Sequence, residues 1–382
     1  MKTWRLLIIF IALFLGLYFF PAGILEENTP LGEALLMSRD YARHHVLLCL
    51  IPAFFIAGAI SVLLRKDFIL KYLGRKSNKI LSYLIASVSG AVLSVCSCTV
   101  LPIFAGISKK GAGPGPAFAF LYSGPAINIM AVILTARVLG FKLGIWRIIL
   151  SVLFALVIGI IMGIIFSREE PAQGELADEN VESRPLHHDI LFLSAMTGFL
   201  IFANFPRPEN SGIFELLFNM KWVLSGLFLI LSFIFLFTFY DKDSRNMWLG
   251  ETMNFVKKIY PLLLLGVFAS GFLLGRPGKE GLIPSDIIVS LVGGEGFFAN
   301  ILASVLAALM YFATLTEIPI LQSLIGSGMG QGPSMALLLA GPALSLPSML
   351  VLIGVIGKKK AFTYIALVII IASLSGLIFG AL

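Results

Sequence analysis

Charge is scarce in this chain. Asp, Glu, Lys and Arg supply 13% of its 382 residues, against 58% hydrophobic, which is about half the charged share of an ordinary soluble domain. A soluble core hides one long apolar run, but eleven of them would need polar surface that this sequence does not have, so a soluble globular fold is excluded. Cysteine is scarcer still: Cys49, Cys96 and Cys98 are the whole set, too few for a disulfide scaffold. No G-x-x-x-x-G-K-[ST] loop, H-E-x-x-H pair or G-x-S-x-G elbow occurs, so neither an ATP-driven motor nor a catalytic residue is expected. The GAGPGP run at 111–116 lacks the strand and βαβ setting of a dinucleotide site. No cofactor and no resident metal is expected. A recognition helix, a zinc finger and a basic arm are absent too, so the net charge of +7 reads as an orientation signal rather than as a nucleic-acid surface.

What is present is a series of apolar segments at roughly 5–22, 44–64, 80–98, 115–136, 147–166, 189–204, 221–240, 258–275, 298–316, 334–354 and 362–381. The expected fold is all-α, a polytopic transmembrane helical bundle with two internal repeats and discontinuous helices. The first segment has a basic start and no small-x-small cleavage site, and reads as a retained helix. The segment at 189–204 is short, so ten crossings is the alternative to eleven. With eleven and a cytoplasmic N-terminus, 18 of the 28 basic residues lie inside, and the positive-inside bias favours that count. Arg147 enters this tally as a loop charge. Residues 167–188 break the composition with Glu169, Glu170, Glu175, Asp178, Glu179 and Glu182. They divide a first membrane half, 1–166, from a second, 189–382, through an acidic extracytoplasmic linker.

The most informative feature is self-similarity. TVLPIFAGISKKGAGPGPAFAFLYSGPAIN at 99–128 aligns without a gap with TEIPILQSLIGSGMGQGPSMALLLAGPALS at 316–345, with 12 of 30 positions identical. Thr99 matches Thr316, Pro102 matches Pro319, and Gly124, Pro125 and Ala126 match Gly341, Pro342 and Ala343. Proline removes a backbone donor and glycine permits unusual dihedrals. Paired breaks at matching places in two halves point to a transporter's central site, where freed backbone groups face protein or a polar cavity. Eleven crossings make the copies parallel; ten make them inverted.

Several side chains are candidates for contact with a solute. Cys96 and Cys98 precede Pro102, and an unwound helix end would let the two thiols converge on a soft metal or metalloid; packing and a redox couple are the alternatives. Glu317 takes the place of Val100 in the second copy, and a carboxylate in a membrane core must be paired, protonated or wet. It is a candidate for proton exchange or a helix-end anchor. Asn128 and Ser345 occupy equivalent positions after the Gly-Pro pairs and suit solute coordination or helix–helix hydrogen bonds, with Tyr122 and Ser123 in the same polar cluster. Lys109 and Lys110 fall on the outer side of an eleven-span chain, against the charge bias, which hints at re-entry. His44, His45, His187 and His188 form two adjacent pairs, read as interfacial residues or an outer metal-entry point.

The run CSCTVLPIFAGISKKGAGPGPAFAFLYSGPAINIMAVILTARVLG at 96–140 resembles the predicted permease family related to the ArsP organoarsenical permeases, once a domain of unknown function. Cys96 and Cys98 match the family's cysteine-containing stretch; Pro102, Gly124, Pro125 and Asn128 match its proline-glycine core. The resemblance implies a multi-pass permease of a bacterial cell inner membrane that moves a small solute, with metalloid or organoarsenical export among the expectations; proton coupling is the expectation that Glu317 carries. A channel and an intramembrane thiol redox enzyme are the rival readings.

Overall fold

The structure, a computed structural model, describes residues 2–21, 29–64, 66–74, 77–93, 97–166, 185–205, 213–276, 279, 281–284, 290–311 and 317–381. The helices are α1 (Lys2–Tyr18), α2 (Pro30–Val62), α3 (Lys66–Leu73), α4 (Lys79–Leu93), α5 (Ser97–Lys109), α6 (Pro114–Ala126), α7 (Ile129–Val138) and α8 (Phe141–Phe166). There follow α9 (Leu186–Ala203), α10 (Ile213–Asn219), α11 (Lys221–Phe239), α12 (Lys242–Leu274), α13 (Phe297–Leu309), α14 (Glu317–Gly326), α15 (Gln331–Ala340), α16 (Leu346–Ile356) and α17 (Lys358–Gly380). The fold is an all-α polytopic bundle, and six of these helices are long and apolar enough to cross a membrane. Ile80, Phe141, Ile164, Val223 and Phe298 stand exposed on its flanks, where lipid rather than water is the fitting neighbour.

Two 33-residue helices, α2 and α12, brace the bundle. At 1.5 Å per residue each is about 50 Å long, more than the hydrocarbon thickness. They lie antiparallel, since Gly58 meets Trp248 and Thr252 while Gly271 meets Ala34 and Met37. Arg276, just past α12, ties back to the buried Glu33 of α2 through Nε to Oε2 at 2.8 Å. Residues Ala42–Leu50 of α2 are wound as a π-helix. At Gly266 of α12 the backbone of Pro347 comes so close that a Cβ would overlap its Cα. Gly266→Val is therefore expected to lower unfolding stability by about 1–3 kcal/mol, the cost typical of overpacking. Thermal unfolding of the purified protein measures it, and an unchanged transition would contradict this contact.

Two segments that the sequence suggests as crossings instead turn back. Near the start of α4, Ser82 Oγ donates to the Tyr72 carbonyl at 2.6 Å. After α5, Gly113 N donates to the Leu73 carbonyl at 2.7 Å. Both ends of 79–113 thus meet the end of α3, and α4 and α5 form a re-entrant hairpin. The same holds for 298–316. Glu295, before α13, accepts from Gln331 N at 2.6 Å and Gly332 N at 2.7 Å, so α13 and α14 also leave and return at one end. The turns after the hairpins match. Gly111 and Gly328 both adopt positive φ, at 97° and 105°, a conformation that glycine reaches without strain. Ala112 N bonds to the Ile107 carbonyl as Met329 N does to that of Leu324.

The expected helix breaks are present. α6 stops at Ala126 and α7 resumes at Ile129; α15 stops at Ala340 and α16 resumes at Leu346. Pro125 and Pro342 each lack the N–H that would continue the ladder. α6, α7 and α8 begin at Pro114, Ile129 and Phe141, and α15, α16 and α17 at Gln331, Leu346 and Lys358. The step between partners is constant and is the one that separates Thr99 from Thr316. The equivalent helices α8 and α17 run antiparallel. Trp146 and Lys142 near the start of α8 meet Phe379 at the end of α17, with ring centroids 6.3 Å apart for the tryptophan. Lys360 near the start of α17 sits over Phe166, the last residue of α8.

This departs from the eleven-crossing reading. Eleven crossings become, among the described helices, nine rods (α1, α2, α6 with α7, α8, α9, α11, α12, α15 with α16, and α17) and two hairpins. The corresponding segments are inverted, not parallel, because a hairpin does not change sides. A hairpin of two apolar arms carries the same hydropathy as a crossing, which is why counting runs misplaces it. The histidine pairs are also not on one side. His188 stacks on Phe239 at 4.0 Å, at the end where α11 stops, whereas His45 packs against Tyr41 and Tyr311, near the middle of α2.

Candidate functional site

The contacts that join residues 79–166 to 297–380 form a ladder from one end of the molecule to the other. At its midpoint the Tyr122 hydroxyl donates to the Leu339 carbonyl at 3.3 Å. These two positions are partners in the repeat, so they sit where equivalent elements face each other. Toward the Tyr72 end the joint is aromatic: Phe118 lies 5.3 Å from both Phe104 and Tyr364, centroid to centroid. Toward the other end the joint is ionic.

There, Arg147 of α8 donates through one terminal nitrogen to Glu317 Oε1 at 2.5 Å and through the other to Thr135 Oγ1 at 2.8 Å. Thr135 in turn donates to the Ala131 carbonyl at 2.7 Å. Arg147 is 0% exposed and Glu317 1%. Each charge alone would be prohibitively costly in this setting, and each is tolerated because the other is there. Glu317 opens α14, beside the turn of the second hairpin. The three side chains therefore pin that hairpin to α7 and α8 of the other set. The repeat partners of Arg147, Glu317 and Thr135 are Tyr364, Val100 and Leu352, all uncharged. The polar joint exists on one side of the molecule alone.

The other sequence candidates fall as follows. Thr99 is buried in α5 and Pro102 lies inside that helix; as its sixth residue it cannot offer an N–H to the Cys98 carbonyl. Pro319 is third in α14, where a missing N–H costs nothing. Cys96 and Thr316 lie outside the described residues, and Cys98 is placed as a helical residue of α5 only. Gly124, Pro125, Gly341 and Pro342 make the breaks in the two rods. Asn128 and Ser345 act at those breaks as helix caps. Asn128 Oδ1 accepts from Ala131 N at 3.3 Å, and Ser345 and Ser348 exchange side-chain and backbone bonds as a capping box, each satisfying donors that a restarted helix leaves open. Lys109 forms an ion pair with Glu251 of α12, and Lys110 Nζ donates to the Val62 carbonyl at 3.3 Å, which fits the re-entry that their position suggested.

Arg147 is the functional residue that sequence reasoning misplaced. It is not a loop charge but lies six residues inside a 26-residue apolar helix. The sequence signal was weak, because Arg137 and Lys142 precede Arg147 closely and make it read as part of a charged loop. Two cavities lie to the side of this joint. One of about 990 Å³ is lined by Tyr83, Gly115 and Gly163 among others, and one of about 720 Å³ lies between α2, α9, α11 and α12. Neither is lined by Arg147 or Glu317.

The profile of the ArsP_1 family, described as a predicted permease, matches residues 31–381. The chain belongs to this permease family. It is 40% identical over 351 residues to the UPF0718 protein MJ0584 of Methanocaldococcus jannaschii, covering 89% of this chain and 93% of that one. It is also 22% identical over 402 residues to the UPF0718 protein YraQ of Escherichia coli K12, covering 100% of this chain and 95% of that one. No solved structure matches it. Membership makes this chain a multi-pass membrane protein of the transporter kind, in agreement with its apolar helices.

Proposed function

We propose that the chain is a secondary permease in which two inverted, duplicated units, 79–166 and 297–380, rock against each other around the Arg147–Glu317 joint and carry a small solute between them. The observation that carries this reading is the fully buried ion pair linking the second hairpin to α7 and α8 beside two interrupted helices. Inverted repeats with broken helices at their interface are the usual architecture of alternating access. The constant step, the same in sequence and in helix starts, supports duplication. The site residues are then Glu317 with Arg147 and Thr135, flanked by the breaks at Gly124, Pro125, Asn128, Gly341, Pro342 and Ser345 and by the first hairpin's Cys96, Cys98, Thr99 and Pro102, with Thr316 and Pro319 at the second.

Orientation follows from charge. Lys71, Lys79, Arg245, Lys358, Lys359 and Lys360 gather at the Tyr72 end, while the described residues of the opposite end include fewer basic groups. On the positive-inside rule the Tyr72 end is cytoplasmic. Phe166 and Leu186, which flank the acidic segment, then lie at the cytoplasmic end, while residues 167–184 of that segment lie outside the described residues. We assign the protein to a bacterial inner membrane, with export of a metalloid or organoarsenical as the direction and cargo that the family's name suggests.

In this reading Glu317 is the coupling carboxylate. When the units part, it loses Arg147 and takes a proton in its place, and it returns the proton when the pair reforms. In proteoliposomes, solute flux by the unaltered protein is expected to follow an imposed pH gradient. Glu317→Gln is expected to lose that dependence, with gradient-driven accumulation falling at least about tenfold, the weight of roughly 1.4 kcal/mol. An identical response to the gradient in the variant would remove Glu317 from the coupling.

A further inference from the structure

Building on the permease reading, we infer that the face of α8 carrying Arg147 and Ser151 is the seat of a small oxyanion, which competes with the Glu317 carboxylate for the guanidinium. Two of the three guanidinium nitrogens are engaged, by Glu317 and Thr135. The third, Nε, is buried with no hydrogen-bond partner among the described residues, although an arginine nitrogen can only donate.

One turn further along, Ser151 is 1% exposed and its hydroxyl is likewise unpartnered among the described residues. Among the buried helical serines of the described residues only Ser87 shares this state. Ser225, Ser232, Ser304 and Ser375 all turn their hydroxyls back to the carbonyl four residues earlier, the ordinary resting place of a helical serine. The equivalent acceptor for Ser151 is the Arg147 carbonyl, and it is not taken.

Positions i and i+4 share a helix face, their Cβ atoms about 6 Å apart, so a guanidinium and a hydroxyl on that face can both turn toward one oxyanion. The ligand must accept hydrogen bonds and is favoured by positive charge, which excludes a metal cation. Buried donors without acceptors are costly in a membrane core, so their pairing here points to an acceptor delivered from outside the chain. The repeat partners of Arg147 and Ser151 are Tyr364 and Val368, so the unit without the ion pair lacks the guanidinium and the serine as well. Glu317 presents to Arg147 the same two-oxygen group that a bound oxyanion would. An arriving anion takes over the guanidinium, and the displaced carboxylate accepts a proton that enters with it. A monovalent anion and one proton then cross as a neutral pair, which lowers the cost of carrying charge through hydrocarbon.

The test uses the full-length protein in phosphatidylcholine nanodiscs for binding and in proteoliposomes for flux. Sulfate, phosphate and methylarsonate serve as anionic probes; arsenous acid, neutral at pH 7, and glycerol serve as uncharged ones. At least one anion is expected to bind saturably. Ser151→Ala should weaken it by about tenfold, the loss of one charge-assisted bond. Glu317→Gln, which removes the competitor, should tighten it. Arg147→Gln should abolish it, and Arg147→Lys, which keeps the charge and loses the Nε donor, should weaken it severalfold and serves should Arg147→Gln fail to fold. If no anion binds while arsenous acid or glycerol still moves in a protein-dependent way, the permease stands and the oxyanion seat is wrong. Anion binding indifferent to Ser151→Ala and Glu317→Gln overturns the seat as well. Absence of flux for every probe, together with absence of anion binding, brings down both readings.

Discussion

Arg147→Met is expected to destabilise the protein by about 3–5 kcal/mol, because it strands the Glu317 carboxylate at 1% exposure with its charged partner gone. Glu317→Leu should cost a similar amount by stranding the guanidinium. The double replacement is expected to recover most of the loss, since a buried ion pair exchanged for apolar residues of similar volume is often neutral or better. The coupling energy between the two sites in a double-mutant cycle is thus large, well above the few tenths found for independent positions. Activity should part company with stability. All three variants are expected to lose solute flux, the stable double variant included, because the pair is there to be broken and remade. Thermal unfolding gives the first quantity and proteoliposome uptake the second. A double variant that is both stable and fully active would reduce the pair to a packing device.

Much of this architecture was legible in the sequence. The constant repeat step, the broken rods and the glycine turns at Gly111 and Gly328 follow from proline and glycine positions, because those residues act locally on the backbone. Glu317 stood out because it replaces Val100 in an otherwise matching run. The sense of the repeat was not legible. Whether 80–98 crosses or returns depends on where the chain after it docks, with Gly113 meeting Leu73, and apolar composition is the same in either case. Arg147 was misread for a related reason. The apolar run at 147–166 opens on Arg147, whereas the helix begins at Phe141, and that extra stretch of helix turns a flanking charge into a buried one. Asn128 and Ser345 were rightly paired as equivalents, yet their local work is capping, a role set by where each broken helix restarts.

The inverted arrangement makes an all-or-none prediction about which face each turn occupies. In a chain whose Cys49, Cys96 and Cys98 are replaced by serine or alanine, single cysteines at Asn78, Lys109 and Ser327 place one thiol before the first hairpin, one at its return and one at the return of the second. All three positions are exposed. Labelling with a membrane-impermeant maleimide in sealed inside-out and right-side-out vesicles then reads their sides directly. The two-hairpin fold requires Asn78→Cys and Lys109→Cys to react from the same face and Ser327→Cys to react from the opposite one. If Lys109→Cys and Ser327→Cys label together while Asn78→Cys labels from the other side, residues 79–93 cross the bilayer, the units are parallel, and the Arg147–Glu317 joint cannot hold them as described.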